Sequence, residues 1–233
     1  MASTAGTTSS SSSAERRSSL LARTQAANSS IGELVRSGRV KVSFTGLGAI
    51  AAEMVTMSIT NTTSSAITLS YTPGMVLGAP TGSHVQSVLN EQEFTLEVAP
   101  GATVNHAVVG YCLDYRASPP PKGASIPYTF TSDLSKYALA IQVLDVATRL
   151  DAEGRFTPLL PALQHRRIVT QRAVWAALSQ VPASSDKDKA ALHEEIKLEL
   201  KRGGKSLSTK ELNRLTDSVW TDVRLTLQEA GLQ

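Results

Sequence analysis

The chain has 233 residues, of which 41% are apolar and 18% are charged, and its net charge is +3. Residues 1–41 carry six basic and two acidic residues, residues 42–130 two and five, and residues 131–233 fifteen and thirteen. No segment is basic enough to require nucleic acid, and no apolar run approaches the ~18 residues of a membrane span. The single cysteine excludes an internal disulfide framework and a zinc site built from cysteines.

The N-terminal part, residues 1–38, is predicted to form a Ser-rich arm. Residues 1–30 contain many Ser, Thr and Ala residues but lack the continuous apolar stretch of an ordinary secretory signal. This composition is compatible with a disordered tail, with an organellar transit peptide, and with an arm ordered by packing on a neighbouring subunit. One helical turn is predicted over residues 31–37. The compartment stays open, with a cytoplasmic or assembly-associated protein favoured.

Residues 39–130 show the pattern of an antiparallel β-sandwich. Short runs in which apolar and polar residues alternate, such as residues 40–44, are separated by turn sequences that include Pro73-Gly74 and Pro100-Gly101. Such spacing indicates a sandwich or a barrel. The strand that ends near Cys112 loses its polar face from Ala107 onward, which predicts that it is covered on both faces.

Residues 131–233 are predicted to be helical, so that the fold class is α+β. A Pro-rich connector over residues 118–123 marks the predicted change from sheet to helices. The first two helices are expected to share a core with the apolar end of the last strand. The third and fourth are expected to form an αα-hairpin. The predicted helices cover about 133–150, 167–181 and 185–202, and a fourth begins after a Ser208–Glu211 capping box, with a Leu207–Leu212 staple.

Cys112 and Gln171 are the candidate binding residues. Gln171 shares a predicted helix face with Ile168, Trp175 and Leu178, so it points with the apolar side chains. A buried Gln without hydrogen-bond partners costs ~1–3 kcal/mol. It is therefore either a structural residue bonded to a strand or loop, or the acyl partner of Cys112 in an internal thioester. Cys112 alone is compatible with an ordinary small buried side chain.

Other chemistry at Cys112 has less support. A Cys–His hydrolase would need His165 or His106, and no protease signature surrounds the cysteine. Asp114 would share a strand face with Cys112 and raise its pKa, which disfavours a thiolate nucleophile. The four histidines lack metal-ligand spacing, and nucleotide-binding and hydrolase motifs are missing from the sequence. Glu194-Glu195 is interpreted as part of a solvated helix face. We therefore predict no catalytic residue, metal or cofactor.

Two resemblances accompany these patterns. Residues 39–115, with Ser58-Ile59-Thr60-Asn61-Thr62 and Leu96-Glu97-Val98-Ala99-Pro100-Gly101, resemble the Ig-like sandwich modules common in bacterial proteins, which implies a fold and not a function. Tyr111-Cys112-Leu113-Asp114 and Thr170-Gln171-Arg172-Ala173-Val174-Trp175 resemble the two motifs of the thioester (TQxA) domains of Gram-positive surface adhesins. That resemblance implies a thioester between Cys112 and Gln171, which an amine of the target would attack.

The sequence as a whole predicts a non-enzymatic structural or interaction module, a subunit of a homo-oligomer or of a larger assembly. Its partners would be proteins, and its contact elements the helical hairpin and the N-terminal arm. The alternative is a thioester-forming module for covalent adhesion or binding that uses Cys112 and Gln171.

Overall fold

The computed structural model describes residues 13–181, 183–202 and 204–232. A long helix, α1 (Ser13–Arg36), comes first. The strands are β1 (Val40–Gly46), β2 (Ala51–Asn61), β3 (Ile67–Tyr71), β4 (Val76–Gly78), β5 (Val88–Asn90), β6 (Phe94–Val98), β7 (Thr103–Cys112) and β8 (Thr129–Phe130). A 3-10 turn (Ser135–Tyr137) leads into α2 (Ala138–Ala152), α3 (Ala162–Ala177), α4 (Asp186–Arg202) and α5 (Thr209–Glu229). The predicted α+β class is confirmed.

The strands form one curled antiparallel sheet and one small sheet. The curled sheet has six strands in the order β1-β2-β7-β5-β4-β8, and β3 pairs with β6 in a second sheet of two strands. Residues 124–130 join the edges of the curled sheet, because Ser125 bridges Thr45 of β1 and Phe130 pairs with Leu77 of β4. The prediction that the strands end before the Pro-rich connector is therefore wrong. The final strand has only two residues, too few for an alternating pattern to be visible.

Buried side chains pack on both faces of the curled sheet. The inner core lies between the curled sheet and the β3–β6 sheet, and the outer core lies between the curled sheet and the helices. On β7, Val108 and Cys112 belong to the inner core, whereas Tyr111 belongs to the outer core together with Leu113. The predicted double coverage of β7 is confirmed, and so is the core that it shares with α2 and α3, whose members include Ile141, Leu144, Val169 and Val174.

The described part of the N-terminal arm is a helix that packs on its own chain. The predicted turn over residues 31–37 is the end of α1, which has 24 residues. Asn28 is buried, and its amide donates hydrogen bonds to the carbonyl oxygens of Val76 (3.0 Å) and Thr131 (2.7 Å). The Ser and Thr residues of α1 have low helix propensity, so the sequence did not predict the full helix. Residues 1–12 of the arm lie outside the described residues.

The predicted helices are present, but some boundaries differ: α2 begins at Ala138 after the 3-10 turn rather than near residue 133, and α3 ends at Ala177 rather than near residue 181. The start of α3 at Ala162 lies within the predicted loop over residues 151–165. The sequence did not indicate it because residues 164–167 are all polar and interrupt the apolar period. The predicted αα-hairpin is present: Lys189 of α4 forms an ion pair with Asp217 of α5 at 2.6 Å. Apolar residues of α4 and α5 also enter the outer core, so the hairpin is part of the same folded unit.

The predicted capping box of α5 is confirmed. The Ser208 hydroxyl accepts from the Glu211 backbone N–H at 3.3 Å, and the Glu211 carboxylate accepts from the Ser208 backbone N–H at 2.9 Å. Leu212 is buried but Leu207 is exposed, so the predicted staple is at most partly formed.

Ser208→Ala is expected to destabilise the protein by ~0.5–2 kcal/mol, because it removes the side-chain acceptor for the first turn of α5. Chemical unfolding measures this change. Ser206→Ala, at an exposed position in the preceding loop, is the matched control and should change the free energy of unfolding little. Equal effects of the two substitutions would contradict a stabilising cap.

Candidate functional site at the sheet–helix junction

Gln171 of α3 binds the backbone of Cys112 with both ends of its side-chain amide. Its Oε1 accepts from the Cys112 N–H at 2.9 Å, and its Nε2 donates to the Cys112 carbonyl oxygen at 2.8 Å. The pairing of β2 with β7 reaches only as far as Tyr111. The Gln171 amide therefore takes the place that a neighbouring strand would fill. The predicted inward position of Gln171 is confirmed, since the residue is only 4% exposed.

Gln180 continues this arrangement beyond the end of α3. Its Nε2 donates to the carbonyl oxygen of Leu113 at 2.8 Å, and its Oε1 accepts from the backbone N–H of Tyr115 at 2.8 Å. Two glutamine amides thus satisfy the backbone of the β7 end where strand pairing stops. Sequence analysis missed Gln180, because a polar residue just after a helix carries no periodic signal.

The Cys112 thiol points away from α3 and lies in the inner core. The residue is fully buried, pairs across the sheet with Val88 of β5, and packs in the same core as Tyr128. Burial raises the pKa of the Cys112 thiol well above its usual value. Asp114, which was expected to raise it, is exposed and accepts a hydrogen bond from the Arg116 backbone at 2.9 Å. Cys112 is therefore protonated at neutral pH.

Neither histidine considered for a Cys–His pair is directed to Cys112. His106 lies six positions earlier on β7, a distance of ~20 Å along a strand. Its ring stacks on Phe94 with 3.8 Å between centroids. His165 bonds to Asp222 of α5 through Nε2 at 2.7 Å. The structure thus gives no geometric support to the hydrolase alternative.

His165 and Asp222 form a buried polar network that sequence analysis did not find. The Asp222 carboxylate accepts from the Thr157 backbone N–H at 2.9 Å and from the Thr157 hydroxyl at 3.3 Å. Because a carboxylate can only accept, the Nε2 of His165 carries the proton of their bond. Both side chains are essentially inaccessible to solvent. The network ties the loop after α2 to α3 and α5, and its members are too far apart in sequence for any local pattern.

A second polar cluster borders the junction on the solvent side. Arg172 of α3 is buried and donates to both oxygens of the Glu195 carboxylate at 2.8 Å. The Tyr115 hydroxyl donates to Glu195 at 3.1 Å, and the Tyr115 ring meets the Trp175 ring edge-on at 5.0 Å. The interpretation of Glu195 as a purely solvated residue is therefore wrong. Glu194, which binds Lys197, is exposed as expected.

Glu91 makes a further link between sheet and helices. It follows β5, its side chain is largely buried, and its carboxylate accepts hydrogen bonds from the guanidinium groups of Arg166 and Arg167. Together with Gln171 and with Gln180 just beyond its end, these residues make α3 a main link between the sheet and the helices. The polar contacts between the sheet and the helices are hydrogen bonds and ion pairs within one chain.

Two small clefts flank Leu20 where α1 lies on α2. Their volumes are about 120 Å³ and 80 Å³, below the ~300–1,000 Å³ of typical small-molecule sites. Over residues 13–181, 183–202 and 204–232, no three His, Cys, Asp or Glu side chains are grouped to hold a metal ion. The helices within those ranges include none with the length and apolar character needed to cross a membrane.

Comparison with known proteins gives no relative from which a role could be transferred: no family model, no curated protein and no solved structure matches the chain.

Proposed function

We propose that this protein is a non-enzymatic structural or interaction module that associates with copies of itself within an oligomer or a larger assembly. The proposal rests on two exposed leucines beside the turn that connects α4 to α5. Leu198, near the end of α4, is 48% exposed, and Leu207, just before α5, is 37% exposed. One exposed leucine is ordinary on a protein surface, but two at the two sides of one turn provide apolar area for a contact.

The junction residues support the same proposal. Gln171 and Gln180 bind backbone groups of the β7 end, and Glu91 pairs with Arg166 and Arg167 across the boundary between sheet and helices. The ion pair of Arg172 with Glu195 joins α3 to α4. These groups connect the helical layer to the sheet at several points. Because the hairpin belongs to this connected fold, less conformational entropy is lost when its turn forms a contact.

Light scattering over a concentration series tests this function. The average mass of the wild type should rise with concentration, and the double substitution Leu198→Ser and Leu207→Ser should keep the chain monomeric. The matched control is Leu159→Ser with Leu163→Ser, since these leucines are exposed to a similar degree but lie away from the hairpin, in the loop before α3 and in its first turn. A wild type that stays monomeric would contradict self-association. If the control pair alone prevented association, the interface would lie elsewhere on the helical layer.

For the sheet half, we retain the proposal of a divergent Ig-like sandwich, which antiparallel strands in two packed layers support. The second candidate function is a thioester module, since Gln171 lies beside Cys112. The Cys112 thiol lies in the inner core, so thioester formation would require the cysteine side chain to turn toward the Gln171 amide. In that reaction the Cys112 sulfur would attack the Gln171 amide carbon. The thiol proton would pass to the amide nitrogen, which would leave as ammonia.

Intact mass and thiol titration separate the two candidates. For the non-covalent module we expect the full mass of the sequence, no alkylation of Cys112 by iodoacetamide in the folded protein, and one reactive thiol after denaturation. Burial and the raised pKa are the reasons for the protection. A mass lower by one ammonia, with methylamine adding to Gln171 and freeing the thiol, would establish the thioester instead. Cys112→Ala is the control, because it must abolish methylamine labelling.

A further inference from the structure

The turn between α4 and α5 carries a concentrated positive charge. Residues 197–210, here called the basic end, contain five Lys or Arg residues and one Glu, a net charge of +4. Its lysines are exposed, and the two exposed leucines described above lie between them; the lysines are Lys197, Lys201, Lys205 and Lys210. A charged surface with apolar side chains in its middle has the composition of a contact surface with a polar rim.

The stretch from residue 42 to residue 115 carries the opposite charge. Residues 42–115 contain five acidic residues and not one Lys or Arg. Glu91 is paired with α3, but Glu93 and Glu97 are exposed at the two ends of β6. Their strand neighbours on the same outer surface are hydroxyl residues. We define the acidic face as Thr68, Ser70, Glu93, Thr95 and Glu97, all exposed on the β3–β6 sheet or immediately beside it.

We propose that the basic end of one molecule docks on the acidic face of a second copy of the same chain. This inference rests on the proposed function and specifies its interface. The charges are complementary. The docking is carried by charge, because Phe94 and Leu96 alternate with the acidic-face residues along β6 and pack against the inner core. Because the two surfaces are different patches of one molecule, the contact is head to tail, and repetition produces a closed ring or an open filament.

Charge reversal on each surface tests this pairing. Lys201→Glu with Lys205→Glu reverses the basic end, and Glu93→Lys with Glu97→Lys reverses the acidic face. Each variant alone should self-associate about tenfold or more weakly than the wild type, because like charges then face each other. An equimolar mixture should associate again, since each variant supplies the surface that the other needs. Sedimentation velocity at low salt measures all of these mixtures.

Two controls accompany the charge-reversal variants. Lys41→Glu with Lys122→Glu changes the net charge equally at exposed positions of the sheet half and should associate like the wild type. Wild-type association should weaken as salt is added, because exposed charges are screened over ~8–10 Å at moderate ionic strength. Circular dichroism and the unfolding midpoint verify that each variant is folded.

The outcomes distinguish this inference from the function on which it rests. If the wild type associates and the reversed variants associate equally well, or their mixture stays monomeric, the pairing is wrong while self-association stands. If the wild type is monomeric throughout, both fail. Binding of the wild type to phosphatidylglycerol vesicles, lost in the Lys201→Glu and Lys205→Glu variant and without any self-association, would assign the basic end to an anionic membrane surface and overturn the proposal.

Discussion

Replacement of Asp222 by alanine is expected to destabilise the protein by ~3–5 kcal/mol, the cost of removing one member of a buried charged network. The buried Nε2–H of His165 would lose its acceptor, and the part-buried hydrogen bond from the Thr157 backbone N–H would also be lost. Chemical denaturation followed by tryptophan fluorescence provides the free energy of unfolding.

Asp217→Ala is the matched control for this substitution. Asp217 lies on the same helix but is exposed, and its ion pair with Lys189 belongs to a class worth ~0–1 kcal/mol. Asp222→Asn should fall between the two, since asparagine keeps the shape and one acceptor oxygen. An Asp222→Ala effect no larger than that of Asp217→Ala would show that the buried network contributes little to stability.

Gln171→Ala is expected to cost ~2–5 kcal/mol, because it leaves the N–H and the carbonyl of Cys112 unpaired at a buried position and removes a packed side chain. Gln171→Leu restores most of the volume without the hydrogen bonds and therefore isolates their contribution. Thermal and chemical unfolding measure both.

Gln164→Ala provides the control for the helix itself, since Gln164 is an exposed residue of α3. It should change the free energy of unfolding by less than ~0.5 kcal/mol. A Gln171→Leu variant as stable as the wild type would mean that the hydrogen bonds of the glutamine amide to the Cys112 backbone contribute little to stability.

The sequence predicted those features whose signal is local. The loss of alternation at the end of β7 indicated coverage on two faces, and the spacing of Gln171 indicated an inward side chain; both are confirmed. The capping box at Ser208 was identified because the motif sits within four residues and its geometry is fixed by the helix start.

Other features depend on contacts between distant parts of the chain. The closing segment over residues 124–130 is paired through isolated bridges and a two-residue strand, so it has no period to detect. Helix α1 depends on long-range contacts such as those of Asn28, since its own composition favours helix weakly. The partners of Gln171 and His165 lie 59 and 57 residues away. A pattern within one segment could show that these side chains needed partners but could not identify them.

The central claim is that this protein associates with itself through the end of its helical hairpin. Sedimentation velocity of the wild type at low salt, over a concentration series extending to the highest soluble concentration, tests it most directly. We predict that the weight-average sedimentation coefficient rises with concentration and returns to the monomer value in the Leu198→Ser and Leu207→Ser variant. A single monomeric species for the wild type across the whole series would contradict the claim.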